Sequence, residues 1–125
     1  MYPPIFEVCA QSPEAAALLG QNPMRLWPFG DAPQENRAYP YAVWQLVSGN
    51  PENYITGLPD IDQYTVQVDV YAQTATSARS VAQALRDAIE PHAHIVGWAG
   101  ESVDRDTRNY RLSFDSEWFN PRGSA

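Results

Sequence analysis

The sequence predicts an α+β fold: a mostly antiparallel sheet of about four to five strands, one long helix packed on one face, and short N-terminal helices. Three observations carry this. Residues 64–72 alternate, with Tyr64, Val66, Val68, Val70 and Ala72 on one side and Thr65, Gln67, Asp69 and Tyr71 on the other. That is the period of a half-buried strand with one polar side. Directly after it, Ala78, Val81, Ala82, Leu85, Ala88 and Ile89 recur with the 3.6-residue period, while Arg79, Gln83, Arg86, Asp87 and Glu90 fall mostly off the stripe. Further strand-like runs precede and follow this pair, so helices, two strands, a helix and two strands succeed one another.

The elements can be justified in order. Pro3 and Pro4 suit a first helical turn, and Ile5, Phe6, Val8 and Cys9 supply an apolar stripe with spacings of three and four. Ser12 is a good N-cap, with Pro13 at the first helical position and Glu14 near the positive end of the dipole. Ala15, Ala16, Ala17, Leu18 and Leu19 continue that second helix, and Gly20 ends it. Residues 21–40 form an arm: Trp27, Phe29 and Tyr39 lie among four prolines, which fits an edge strand, a loose hairpin or a loop. Within it, residues 24–27 are a candidate short strand.

Residues 41–47 make a strand with two apolar faces, Tyr41, Val43, Gln45 and Val47 against Ala42, Trp44 and Leu46, as a central strand would have. Ser48, Gly49, Asn50 and Pro51 are expected to stop it, and residues 52–63 to form a polar loop. Thr76 or Thr74 caps the long helix over about residues 76–90, and Pro91 ends it. Val81, Leu85 and Ile89 should pack on Val66, Val68 and Val70. Residues 94–98 form a short strand leading into Gly100, and 101–108 a polar turn. Tyr110, Leu112, Phe114 and Ser116 then alternate with Arg111, Ser113, Asp115 and Glu117, and Trp118 and Phe119 finish the last strand. The final residues read as a frayed tail. The whole of 1–125 reads as one domain, with the arm 21–40 and a loop over 50–63 as extensions.

Charge and composition narrow the function classes. Eight basic and fifteen acidic residues give a net charge of −7, which repels phosphate backbones and argues against tight nucleic-acid binding. One cysteine, Cys9, allows no intramolecular disulfide. No run of about 18 apolar residues is long enough for a transmembrane helix, so no membrane association is expected. The N-terminus lacks a basic region followed by an apolar run.

Candidate catalytic or metal-binding residues have plainer readings. His92 and His94 stand two apart, which on a strand puts both rings on one face. They make at most half of a four-ligand site, and read as loop or edge histidines. Cys9 sits on an apolar helix stripe, where a thiol is inert. Asp60 with Asp62, and Asp104 with Asp106, fall in predicted polar turns, where aspartate bonds locally. Neither a catalytic set, nor a metal site, nor a cofactor is expected. The aromatics need a reason: four Trp, seven Tyr and four Phe. Trp44, Trp98 and Phe114 suit the core. Trp27, Phe29 and Tyr54 lie outside predicted regular structure, either as clamps over the domain's own core or as anchors in a partner.

A family resemblance begins at Tyr39. The run Tyr39-Pro40-Tyr41-Ala42-Val43-Trp44-Gln45, then Ser48-Gly49-Asn50-Pro51-Glu52, resembles the tail completion (tail terminator) family of long-tailed bacteriophages. There, a proline, an aromatic, two apolar residues, an aromatic and a glutamine lead into a serine-glycine turn. Gln67-Val68-Asp69-Val70-Tyr71-Ala72 is similar to the family's next strand. Ala78, Ala82, Leu85 and Arg86 match its alanine-rich helix, and Tyr110-Arg111-Leu112-Ser113-Phe114-Asp115 its closing strand. The order and spacing hold over most of the chain; the first forty residues match in type only.

The resemblance implies a small structural subunit of the virion, assembled in the host cytoplasm as a homo-hexameric ring. Such a ring caps the finished tail tube and offers its other face to the head connector. DNA passes through it without being gripped, and no catalytic residue or cofactor carries over. The arm 21–40 and loop 50–63 are then expected to contact neighbouring subunits, the tail tube protein or the head completion protein. They would do so through Trp27, Phe29, Tyr39, Tyr54, Ile55 and Leu58, apolar groups that a lone solvated loop has no reason to keep. Two rival readings are a head-completion (neck) subunit, which attaches on the capsid side, and a small α+β enzyme or ligand-binding domain with an aromatic pocket.

Overall fold

The computed structural model describes residues 4–20, 24–28, 38–51, 61–103 and 109–121. The elements are α1 (Ile5–Ala10), α2 (Pro13–Leu19), β1 (Leu26–Pro28), β2 (Tyr41–Pro51), β3 (Ile61–Ala72), α3 (Ala75–Ile89), β4 (His94–Val103) and β5 (Tyr110–Pro121). The strands form a five-stranded sheet in the order β1-β2-β3-β5-β4. Only β1 and β2 run parallel; every other neighbouring pair is antiparallel. The predicted α+β class, strand number and helix placement are all borne out.

The helix signals act locally, as the sequence implies. Ser12 Oγ accepts from the Ala15 N–H at 3.2 Å, Pro13 opens α2, and Gly20 closes it at φ 85°, donating to Ala16 O at 2.9 Å. Of the two candidate threonines it is Thr74 that caps α3, accepting from the Ser77 N–H at 3.1 Å. Val81, Leu85 and Ile89 have no solvent exposure and lie in one core with Val66, Val68, Val70 and Ala72. Helices α1 and α2 contact each other and α3, bringing Ile5, Cys9, Ala15, Ala16 and Leu19 into the same core. Burial pushes the Cys9 thiol up to about 12, so it stays protonated and unreactive, as the stripe implies.

Strand β5 contributes the largest core groups. Phe114 and Trp118 are buried, and among the described residues Trp118, more enclosed than Trp44, is the bulkiest fully buried side chain. The side chain of Trp98 lies outside the described residues. Trp118 Nε1 donates to Ser116 Oγ at 2.9 Å, and Ser116 Oγ donates to Val66 O at 3.4 Å. A polar residue on the apolar face thus gives the indole N–H its partner, which burial of a tryptophan requires.

Four boundaries differ from the sequence expectation. Strand β2 does not stop at Ser48 but runs through Pro51, because β3 begins at Ile61 and supplies partners: Ser48↔Thr65, Gly49↔Tyr64, Asn50↔Gln63 and Pro51↔Asp62. Turn-forming residues are held in a ladder by a distant strand, and Asp62 is in that strand and not in a loop. Strand β4 likewise extends to Val103, so Glu101 to Val103 pair with Leu112 to Tyr110 instead of forming a turn. Gly100, at φ 135°, sits where the register shifts between Trp98 and Gly100, a backbone that a side chain rarely adopts. The short strand expected over residues 24–27 is β1, Leu26–Pro28, which keeps Trp27 but starts two residues later and ends one later.

Arg25 anchors that short strand. Its Nε donates to Pro40 O at 2.8 Å and its Nη2 to Leu18 O at 3.1 Å, tying the end of α2 to the start of β2. The Arg25 carbonyl accepts from the Ala42 N–H at 2.9 Å. One planar donor group thereby satisfies two carbonyls from different segments, which a lysine would not do in the same geometry.

Candidate assembly surfaces

All three helices lie on the face that carries Ala42, Trp44, Val66, Val68, Val70, Leu112 and Phe114. The opposite face has no helix over it among the described residues. Register places Tyr41 opposite Tyr71, Val43 opposite Asp69, and Asp69 opposite Ser113 on that open face.

Aromatic rings cover one corner of it. Tyr41 is only 4% exposed although no helix covers it. Tyr71 stacks on it at 5.0 Å and 18°, Tyr39 leans on it at 5.3 Å, and Trp27 at 5.8 Å. The Tyr39 hydroxyl accepts from Asn109 Nδ2 at 2.8 Å. Cross-strand aromatic pairs of this kind stabilise sheets by more than their area alone. Trp27 and Tyr39 thus each pack one side on Tyr41 within the subunit and stay half-buried, with surface left over. Phe29, Tyr54, Ile55 and Leu58, named with them from the sequence, lie outside the described residues, as do Asp60, Asp104 and Asp106.

Beside the rings lies a polar network the sequence reading missed. Asp69 is 5% exposed and accepts from Ser113 Oγ, from Gln67 Nε2 at 2.9 Å and from Arg111 Nη2 at 3.3 Å. Desolvation, and then the Asp69 charge, hold the Asp115 carboxyl above its ordinary range. Its Oδ1 is buried with no hydrogen-bond partner among the described residues. The signal available in the sequence was two polar residues, Asp69 and Ser113, at in-phase positions on strands that turn out to be neighbours.

His92 and His94 are both exposed, His92 before β4 and His94 as its first residue. Among the described residues no three His, Cys, Asp or Glu side chains gather as a metal would need. A cleft of about 400 Å³ between α3 and β4 is lined by Arg79, Gln83, Gly100, Glu101 and Leu112. Arg79 Nε and Glu101 Oε2 close its rim at 2.9 Å. The hydrogen bond to Glu101, and then the Glu101 charge, raise the Arg79 guanidinium's affinity for its proton. No helix of the described residues is long and apolar enough to cross a membrane.

The comparison with known sequences decides the family. The sequence pattern of the family described as "Tail completion protein gp17" matches residues 3–119. The chain belongs to this family. It is accordingly a tail-completion structural protein of phage-like virions, as the resemblance at residues 39–52, 67–72, 78–86 and 110–115 implied. No curated protein matches the sequence. Among solved structures, a chain of "Virion of native gene transfer agent (GTA) particle" has the same fold, with a TM-score of 0.61 over 93% of this chain and 92% of that one. At 16% identity, that likeness speaks for the architecture alone.

Proposed function

We propose that this tail completion subunit forms a six-fold ring that caps the finished tail tube, stops its growth and presents its other face to the head connector. Membership of the tail completion family over residues 3–119 carries the reading. Charge supports it: at −7 the protein can surround a passing genome without holding it. The side chains nominated for contact are Trp27, Phe29, Tyr39, Tyr54, Ile55 and Leu58. Trp27 and Tyr39 lie at the outer rim of the aromatic cluster, half-buried, and an aromatic anchor in an interface often carries ~2 kcal/mol or more. Repetition around a ring multiplies such contacts by raising effective concentration.

The test is genetic removal followed by electron microscopy of the tails. Tails without the subunit should overgrow and fail to join heads, and the labelled protein should appear as a ring at the head-proximal end of complemented tails. Tails of normal length with the label on the capsid side would instead make it a neck subunit. Trp27→Ala should reduce joining while the isolated subunit still unfolds cooperatively. If that variant is simply unfolded, the ring over Tyr41 is a lid and not an anchor.

A further inference from the structure

Two strands of the sheet carry a bulge at the same height. On β2 the register steps from Leu46↔Val66 to Ser48↔Thr65, so Val47 is an extra residue with no partner on β3. On β4 it steps from Ile95↔Ser116 to Gly97↔Asp115, so Val96 is an extra residue with no partner on β5. Val66 pairs with Ser116, so Leu46, Val66, Ser116 and Ile95 form one row straight across the sheet. The two bulges sit at opposite ends of that row. Each projects a β-branched apolar side chain into solvent, Val47 at 47% and Val96 at 55% exposure, with Leu46 at 39% beside the first. Bulges at sheet edges re-aim side chains, and these two aim valine outward where a solvated edge favours charge.

Strand direction adds to this. β2, β3, β5 and β4 are antiparallel in turn, so β4 runs with β3 and against β2. If the sheet is repeated around an axis roughly along its strands, β4 of one copy meets β2 of the next in antiparallel sense, the more stable pairing. Strand β1 does not stand in the way at this height among the described residues, since it ends opposite Trp44. Among the described residues the outer side of β4 has no further strand in the sheet.

We propose that successive copies join head to tail through these two bulges, Val96 of one subunit seating against Leu46 and Val47 of the next. The contact unites two different patches, so it is heterologous, which makes a ring where the rotation between copies closes and never a two-fold dimer. It rests on the ring reading above, and it names the surface that makes the ring.

The test is disulfide trapping in assembled particles. Cys9 is buried and stays protonated, so the native thiol does not interfere. Val47 and Val96 are exposed, so cysteine at either position leaves the core untouched. Particles carrying Val47→Cys together with Val96→Cys should give, on oxidation, a ladder of linked subunits reaching the full ring, because a disulfide forms only when the Cα atoms come within ~7 Å. Each single variant should stay monomeric on a denaturing gel. Val47→Cys with Val103→Cys should also stay monomeric, since Val103 lies roughly 20 Å further along β4 at ~3.3 Å per residue. Intact rings without the first ladder would overturn this contact and leave the ring reading standing. Dimers from Val96→Cys alone would overturn it in favour of two-fold pairing of β4. Particles with no ring of the protein would overturn both.

Discussion

The two faces of the sheet bury their side chains by different means. On the helix face, Val66, Val68, Val70, Leu112, Phe114 and Trp118 share one core with Val81, Leu85 and Ile89, and a chain of hydrogen bonds runs from Trp118 through Ser116 to the Val66 carbonyl. On the open face Tyr41 and Asp69 are just as inaccessible, but side chains of the same sheet cover them: Trp27, Tyr39 and Tyr71 over the tyrosine, Gln67, Ser113 and Arg111 around the carboxylate. The helix face draws its stability from apolar area removed from water, which does not depend on the titration of any group. The open face draws on hydrogen bonds and charges, whose net contribution is smaller and conditional.

The comparison can be broken at its strong end first. Trp118→Ala should cost ~3–5 kcal/mol and Leu85→Ala ~2–5 kcal/mol, measured by urea unfolding. A loss below ~1 kcal/mol for either would mean the helix face is not the stabilising core. Next comes the buried carboxylate. Asp69→Ala leaves Ser113 without its acceptor and should cost ~1–3 kcal/mol. Combining it with Ser113→Ala should cost less than the two single losses added, since the pair shares one bond; strict additivity would show that the network contributes nothing as a unit.

Asp115 sharpens the contrast through pH. Its folded carboxyl holds its proton above the ordinary value of 3.8. Between that value and the raised one the folded state binds more protons than the unfolded state, so stability falls as pH rises through the window. Asp115→Asn removes that cost and should raise the melting midpoint at neutral pH, with the gain vanishing below about 3.8. A gain that persists unchanged in acid would rule out the carboxylate charge as its source. The smallest effect belongs to Arg79→Ala. Its pair with Glu101 is solvated on both sides, so the midpoint should not move measurably; a clear drop would mean that the rim of the α3–β4 cleft is structural.

How much was legible beforehand differs between the same two faces. The helix face could be read almost residue by residue, because amphipathic period and caps are local: Ser12, Pro13 and Gly20 bound α2, and the Val81–Leu85–Ile89 stripe finds Val66, Val68 and Val70 as predicted. The nominated assembly residues were legible as aromatics that needed a reason. Their packing was not, because Trp27 and Tyr71 reach Tyr41 only through the pairing of β1 and β3 with β2, strands far apart in sequence.

Taken alone, then, the sequence determined the α+β class, the long helix and its apolar face, the inert thiol and the family likeness. Each rests on interactions within a few residues or on composition. The tertiary structure alone decided that Ser48 to Pro51 stay in β2 and that β4 reaches Val103. It also decided that Asp69 is enclosed and that Val47 and Val96 stand as bulges beside the two ends of one row. The physical reason is that a strand's length, register and edge depend on the partner it pairs with. A turn-forming residue has only a small local preference, and a ladder of hydrogen bonds to a distant strand outweighs it.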